Sequence, residues 1–502
     1  MLSQMTQRIN KKTSVFSFSV VVFGFCFGSF FSSLAFAQEE SNPKHCLIFA
    51  SSSAWNCSAA FRGDFVRQRF NETLPAPEVP SRTFLVDFNM TGKSELLTNL
   101  RVHADVDLIA RRSWDYKRLN FPNDSVITTQ GDSSDNPAYR SSLYELYALF
   151  EPDPEYQLTV GKKRILWGSG LASNPTDLLN PSKSVLDPAL ERRGAWLAQF
   201  EHILEKDTFA VFFAPGVIED KNTLPTDVFK YKTDSSDRRE SHSLIGARWY
   251  HLAGHADLNL MAFYSDSFKD PQVGAWKAGA SWSQSLLALS KQLEGHAEIL
   301  LQQGSARNAS DGSSRTKSKQ FYTTLLLGSR YDFENESALI FEFLHQGEGD
   351  SRDDFIQRRT SEAGLLRSQM IAAARAGQSS SVTPVVFAQS SASGKSSQGE
   401  AGRTVSALGM QNYLLVNYQR YKFNDDLFLS WSLVHNLHDA SGFQGPLLQW
   451  TPNQTLSLTL TANTDYALWP KTGMHVDGLG RIHEFELNPV TSRVGFEIKS
   501  FF

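Results

Sequence analysis

The sequence predicts an all-β fold: a transmembrane antiparallel β-barrel of about 16–18 strands with long external loops. Three observations support this prediction: segments in which apolar and polar residues alternate, connections that alternate between short and long, and an aromatic residue at the chain end. Alternation with a period of two indicates a strand with one apolar and one polar face. In a membrane barrel the apolar faces meet lipid and the polar faces meet a watery lumen.

The alternation is clearest in residues 456–463, where apolar residues alternate with serine, threonine and asparagine. The same pattern recurs in segments 84–90, 100–108, 257–264, 276–283 and 427–433. Strands of a soluble sandwich average about 5–6 residues, and many of these segments are longer. The sheet must close, because an open edge in lipid would leave backbone groups unsatisfied.

The connections also fit a barrel, because outer-membrane barrels alternate short periplasmic turns with longer external loops. Counting one strand on each side of every connection, with residues 61–70 as the first strand, gives about 18 strands, and 16 is the alternative. The predicted short turns lie at 91–94, 151–155, 204–207, 252–255, 291–294, 333–337, 424–426 and 451–454. The predicted long connections are 114–141, 168–193, 216–240, 304–318, 348–411 and 469–483, with the shorter link 266–272 in phase.

The first 37 residues have the features of a signal peptide: a basic start, an apolar run from Val15 to Phe31, and small residues before a cleavage site after Ala37. Removing residues 1–37, which hold three basic and no acidic residues, changes the formal charge from −4 to −7. This acidic balance argues against nucleic acid as a partner. We expect a periplasmic segment at 38–58 and the barrel at 59–502.

Two cysteines remain in the mature chain, Cys46 and Cys57. In a secreted chain an even number of cysteines predicts a disulfide. A metal site with His45 as a third ligand is the alternative, but two thiols and one histidine make a weak site. We therefore predict a disulfide, no metal and no cofactor.

The stretch TVGKKRILWGSGLASNPTDLLNP, residues 159–181, places basic residues beside glycines. It does not match a phosphate-binding loop, because its lysines precede the glycine pair and two Asn-Pro steps follow where a helix would have to begin. As part of a barrel it predicts a strand that ends near Trp167 at a membrane interface, followed by a loop above the outer face. Three consecutive basic residues, Lys162 to Arg164, require either a bulge or a strand end that rises clear of the hydrocarbon.

This stretch resembles a loop in porin-like outer-membrane β-barrels of Gram-negative bacteria, in which Trp-Gly is followed by Asn-Pro-x-Asp. The resemblance covers about 20 residues together with the general barrel pattern, and it implies the architecture and the outer membrane as the location. It also implies a homo-trimer as one assembly state.

The chain end carries a second resemblance. Val494, Phe496, Ile498 and Phe502 alternate toward a terminal phenylalanine. This ending resembles the assembly signal of bacterial outer-membrane barrels and implies the barrel-assembly machinery as a partner. Ser500 departs from the pattern, since that position is usually aromatic or apolar.

The segment 349–411 differs in composition from the rest of the chain and predicts a long external loop. Residues 356–373 have apolar positions at helical spacing, with Asp353 able to cap the start of a short helix and Gly377 its end. Ser, Ala, Gly and Gln dominate after residue 376, as in a flexible linker. The helix is either a solvated loop element or one that narrows the pore.

The leading functional hypothesis is a porin-like channel for passive diffusion of small hydrophilic solutes, because barrels of 16–18 strands leave an aqueous lumen. Each candidate pore-lining residue could instead belong to a salt-bridge ladder that braces the wall. The candidates are Arg101, His103, Asp105, Asp107, Glu145, Lys277, Glu298 and Glu342.

Two alternatives belong to other classes. One is a surface-attachment, export or assembly barrel that acts through its long loop. The other is a membrane-embedded hydrolase or acyltransferase that uses His242 and Ser243 or the pair His435 and His438. Alternation places His242 and Ser243 on opposite strand faces, and the sequence contains no recognisable nucleophile elbow or third partner for this chemistry.

Overall fold

The structure of the chain is a computed structural model. It describes residues 54–68, 80–97, 99–116, 138–165, 167–179, 194–217, 242–267, 275–287, 289–304, 320–357, 360, 409–421, 426–468, 474–476, 480–482 and 490–501. Across these segments, none of the helices has the length and apolar character needed to cross a membrane.

The secondary structure of these segments consists almost entirely of β-strands. The strands are β1 (Ala54–Gln68), β2 (Pro80–Leu97), β3 (Leu100–Tyr116), β4 (Ala138–Asp153), β5 (Tyr156–Lys163), β6 (Ala195–Ile203), β7 (Asp207–Val217), β8 (His242–Ala253), β9 (Ala256–Ser267), β10 (Ala275–Ser285), β11 (Leu293–Gln303), β12 (Phe321–Phe333), β13 (Ser337–Gln346), β14 (Asn412–Arg420), β15 (Leu427–Asn436), β16 (Ser441–Asn453), β17 (Leu456–Ala467), β18 (Met474–Val476), β19 (Gly480–Ile482) and β20 (Val490–Phe501).

Eighteen of these strands form one closed antiparallel barrel. Neighbours in the chain pair with each other from β1 to β17, and β20 closes the wall by pairing with both β17 and β1. At the seam, Phe61 of β1 lies opposite Val86 of β2 and Ile498 of β20. The short strands β18 and β19 form a separate two-stranded hairpin. Closure satisfies the backbone groups that an open edge would expose to lipid.

The two faces of the wall differ in character. In β13, Leu339 and Phe341 are 37% and 46% exposed on the outer surface, whereas Glu342 and Leu344 point inward and are buried. The same division is seen in β11, where Ile299 is exposed and Glu298 is buried. The outer surface is therefore the apolar one, as a bilayer requires.

The strand ends differ from the predicted ones at three places. The first described strand begins at Ala54, whereas the first predicted strand begins at residue 61. The first hairpin turns after Leu97 instead of at 91–94, because Lys93 pairs with His103 and so continues β2. A short link, residues 437–440, joins β15 to β16 at the end where the other links are long.

The stem of the long connection between β13 and β14 is partly described. A helix spans residues 352–357. Ser351, and not Asp353, caps its start, because the Ser351 hydroxyl accepts a hydrogen bond from the Asp354 N–H at 3.2 Å. Most of the predicted helix and its expected end at Gly377 lie outside the described residues.

Candidate functional site

The connection after β5 folds into the barrel instead of lying above it. Residues 168–179 contact Glu298 of β11 and Glu342 of β13, both of which are on the inward face of the wall. The predicted position above the outer face is therefore wrong. We call residues 168–179 the inner loop.

The first attachment point of the inner loop is the carboxylate of Glu298. Its Oε1 accepts hydrogen bonds from the backbone N–H of Ser169 at 2.5 Å and of Gly170 at 2.6 Å. Its Oε2 accepts from the backbone N–H and the hydroxyl of Thr176, at 3.0 and 2.8 Å. Glu298 is only 1% exposed, so these four donors replace its water shell.

The second attachment point is Glu342. Its carboxylate accepts from the backbone N–H groups of Leu171, Ala172 and Ser173, at 2.6 to 3.2 Å. The Nε2 atom of His296 on β11 also donates to Oε1 of Glu342 at 2.9 Å. Seven backbone or hydroxyl donors of the inner loop thus meet two buried carboxylates.

Glycines make this geometry possible. Gly168 has φ of +94°, and a Cβ there would lie 2.6 Å from Oε1 of Glu298. A Cβ at Gly328, between β11 and β13, would lie 2.1 Å from Nε2 of His296 and would block its path to Glu342. The backbone around the glycine pair of the motif therefore binds a carboxylate, and this carboxylate belongs to the barrel wall.

The inner loop also has an apolar side. Trp167 is 2% exposed and lies against Phe212 and Phe263, with ring centroids 5.1 and 5.9 Å away. The prediction that Trp167 sits at a membrane interface is therefore wrong. These residues belong to a cluster of Ile165, Trp167, Leu179, Leu197, Phe212, Ala214, Leu244, Met261 and Phe263. Apolar burial and the two carboxylates hold the inner loop together.

A second apolar cluster lies inside the barrel beside the inner loop. Phe355 and Met410, from the two ends of the long 347–411 connection, are 1% and 0% exposed. They pack with inward residues of the wall, and Ala172 of the inner loop packs against the same cluster. The other members are Leu326, Leu344, Tyr413, Leu415, Val434 and Phe443. The stem of the long connection and the inner loop are therefore packed as one body.

The three consecutive basic residues are accommodated by the end of the strand. β5 ends at Lys163, so Arg164 belongs to the loop. The Nζ atom of Lys162 donates to the carbonyl of Leu143, whereas Lys163 lies over the ring of Tyr147 at 5.2 Å. The Arg164 N–H donates to Glu145 Oε1 at 2.6 Å, which makes Glu145 a third carboxylate that binds this connection.

The other residues expected to line the pore differ in their contacts. Arg101 pairs with Glu151, both substantially exposed. His103 lies 3.2 Å from Glu145, and Asp105 accepts a hydrogen bond from Asn89 at 2.7 Å. Lys277 is half-buried on the inward face of β10. The side chain of Asp107 lies outside the described residues. Glu145, Glu298 and Glu342 bind loop backbone, and solute contact by the candidate residues stays a prediction.

Sequence reasoning missed Arg248, which points into the barrel from β8. Its Nε atom donates to Asn259 at 2.8 Å, and its guanidinium lies 5.5 Å from the ring centroids of both Trp167 and Tyr250. Alternation along β8 would have placed it inward with Leu244, which is buried. Nothing in the sequence brings it next to Trp167.

The predicted disulfide and assembly signal are partly described. Cys57 is buried and disulfide-bonded, while Cys46 lies outside the described residues, so the pairing stays a prediction. Val494 and Ile498 are exposed on the outer surface, and Phe496 lies 5.7 Å from Phe61 at the seam. Phe502 lies outside the described residues.

The histidines of the enzymatic hypothesis have other partners. His435 shares a hydrogen bond with the Tyr466 hydroxyl at 2.9 Å, and His438 with Asn412 at 3.0 Å. The described part of the chain contains no group of three or more His, Cys, Asp or Glu side chains arranged to hold a metal ion.

No protein-family model matches the sequence. No curated protein matches it either. Among solved structures, OccK2 (OpdF) of Pseudomonas aeruginosa is similar, with 8% identity, a TM-score of 0.48, and coverage of 89% of this chain and 97% of that chain. A BenF-like porin of Pseudomonas fluorescens Pf-5 has 9% identity, a TM-score of 0.47, and coverage of 89% and 98%. OccAB2 of Acinetobacter baumannii has 10% identity, a TM-score of 0.46, and coverage of 89% and 98%.

The wall itself decides the class of protein. A closed antiparallel barrel with a mainly apolar outer face satisfies the backbone groups within the wall and suits contact with lipid. A barrel of 18 strands is also too wide for side chains of the wall alone to fill. The chain accordingly has the architecture of a porin-like, membrane-spanning β-barrel.

Proposed function

We propose that the protein is a channel for passive diffusion of small hydrophilic solutes. The observation that carries this proposal is the inner loop, which is fixed against the lumen wall by Glu298 and Glu342. Binding a loop along one side of a wide barrel narrows the passage without closing the rest of the circumference. Such a fixed constriction sets a size limit for the solutes that pass.

The chemistry of the wall supports the proposal. Inward positions on β17 and β20 carry polar residues, among them Thr459, Asn463 and Glu497, as a watery passage rather than lipid requires. The stem of the long connection adds Phe355 and Met410 to the same side of the lumen as the inner loop. Both elements narrow the passage from one side.

The test is the conductance of the purified mature protein, refolded and inserted into a planar bilayer. Discrete current steps that grow with salt concentration are the expected result, because the current is carried by ions in an open aqueous lumen. A series of uncharged sugars of increasing size, added to one side, measures the width of the constriction.

The conductance measurement separates a porin-like channel from the surface-attachment, export or assembly alternative. Folded barrels that give no current steps in any salt concentration would refute the channel and leave these alternatives. A matched variant that lacks residues 361–408 shows whether the outer part of the long connection alters the conductance.

A further inference from the structure

The outer surface of β7 and β8 carries polar side chains at the end where these strands meet their short links. β7 begins at Asp207, directly after link 204–206, and β8 ends just before link 254–255. Asp207 lies on the same strand face as Phe209, which is 48% exposed on the outer surface, and it pairs with His251 of β8. Short links mark the periplasmic end of outer-membrane barrels, so this rim lies at the level of lipid headgroups.

The carboxylate of Asp207 is fixed by two neighbours and stays accessible. The indole N–H of Trp249 and the Nδ1 atom of His251 both donate to its Oδ1 atom at 2.8 Å. Within the described structure no donor lies on its Oδ2 atom. The side chains of Asp207 and His251 are 30% and 32% exposed. A ligand at the membrane surface can therefore reach a carboxylate whose orientation is already set.

Aromatic rings flank this carboxylate. Phe209 and Trp249 stack on the outer surface, with ring centroids 6.4 Å apart and planes within 14° of each other. The ring of His251 lies 5.7 Å from that of Trp249. Exposed aromatic side chains are usual where a barrel meets the headgroups, and by themselves they select no lipid. A carboxylate among ring faces adds selectivity, because both attract a cation.

A second set of the same kind lies two strands away. The Glu155 carboxylate is 4.0 Å from Nε2 of His202, and their side chains are 63% and 33% exposed. The Tyr156 ring stacks on the His202 ring, with centroids 4.8 Å apart and planes within 7°. Tyr156 and His202 pair across β5 and β6. Two strand spacings are about 10 Å, so each set meets a separate headgroup.

We infer that this rim binds phospholipids whose headgroup ends in a primary ammonium, as in phosphatidylethanolamine. Such an ammonium has three N–H donors, one of which the Asp207 Oδ2 atom accepts, while the faces of Phe209 and Trp249 attract its charge. A choline headgroup has no N–H to donate, and a glycerol headgroup has no positive charge, so both bind less tightly. The site lies on the outer surface, and its occupation does not depend on whether the barrel conducts.

The test is native mass spectrometry of the refolded mature protein in detergent, titrated separately with phosphatidylethanolamine, phosphatidylcholine and phosphatidylglycerol. Wild type should retain phosphatidylethanolamine at a lower lipid concentration than either of the others. In Asp207→Asn its apparent Kd should rise about fivefold, as the loss of one charged hydrogen bond at an exposed site implies. Asparagine keeps an oxygen for the Trp249 and His251 donors, so the rim keeps its geometry.

Glu205→Gln is the matched control. Glu205 lies in link 204–206 and is exposed, and its substitution changes the net charge by the same amount. No hydrogen bond or ring contact of Glu205 is present in the described structure, so phosphatidylethanolamine binding should stay at the wild-type level. Glu155→Gln should weaken the binding of a separate lipid, and the double variant with Asp207→Asn should bind phosphatidylethanolamine no better than phosphatidylcholine.

Three results would overturn the site: equal retention of the three lipids by wild type, an unchanged preference in folded Asp207→Asn, or an equal loss in Glu205→Gln. A wild-type oligomer that Asp207→Asn converts to monomer would also overturn it, because a second copy of the chain would then cover this face. Circular dichroism shows first that each variant is folded. If Asp207→Asn does not fold, Glu155→Gln decides, and the preference for phosphatidylethanolamine must fall in that variant.

Discussion

Replacing Glu298 with glutamine should release the inner loop. The glutamine keeps the shape of the side chain but turns one oxygen into an NH2 group. Oε1 faces the N–H groups of Ser169 and Gly170, and Oε2 faces two donors of Thr176. Whichever way the amide is oriented, two donors then face another donor.

The magnitude follows from these four contacts. A hydrogen bond to a charged group contributes about 1.5–3 kcal/mol. Losing two of these hydrogen bonds costs about 3–6 kcal/mol. The neutral glutamine has no buried charge to desolvate, which offsets part of that loss. A remaining loss of about 3 kcal/mol lowers the ratio of docked to undocked inner loop by roughly a hundredfold.

The assay is the single-channel current of Glu298→Gln in a planar bilayer. We expect larger or more frequently fluctuating current steps, together with passage of larger uncharged sugars, because an undocked loop no longer narrows the lumen. Glu294→Gln is the matched control, since Glu294 lies on the same strand and face but no inner-loop group binds it in the described structure. If folded Glu298→Gln channels show wild-type steps and noise, the carboxylate does not hold the constriction.

Three other predictions concern single positions. Gly168→Ala should loosen the inner loop and raise the current noise as Glu298→Gln does, because its Cβ would lie 2.6 Å from Oε1 of Glu298. Gly254 also has a positive φ but nothing lies within 4 Å of its Cβ position, so Gly254→Ala should leave the current noise at the wild-type level. Phe355→Ala should cost about 3–5 kcal/mol of packing at the stem of the long connection and raise the current noise, while the exposed Phe333→Ala should not. Cys57→Ser should lower the thermal unfolding temperature, because a short disulfide loop contributes about 2–3 kcal/mol. A non-reducing peptide map in which Cys57 is not joined to Cys46 would contradict the predicted pairing.

Much of the fold could be predicted because a barrel strand repeats a local rule. The period-two alternation along segments such as 100–108 and 427–433 reports which face meets lipid, and it does so without information about distant residues. For the same reason the predicted range of about 16–18 strands includes the 18 that form the barrel. Turn positions were less accurate, since Thr91 to Ser94 have turn-forming residue types but continue β2 through pairing with β3.

The sequence alone determined the closed all-β architecture and the existence of a Gly-rich connection after β5, because both are recorded in local residue patterns. Only the tertiary structure decided where that connection goes. Glu298 and Glu342 are more than 120 residues away from the loop that they bind, and their role depends on barrel closure bringing β11 and β13 beside the inner loop. The same closure sets Arg248 against Trp167. Contacts between the inner loop and the barrel wall produce no periodic pattern in the sequence, so only the structure shows them.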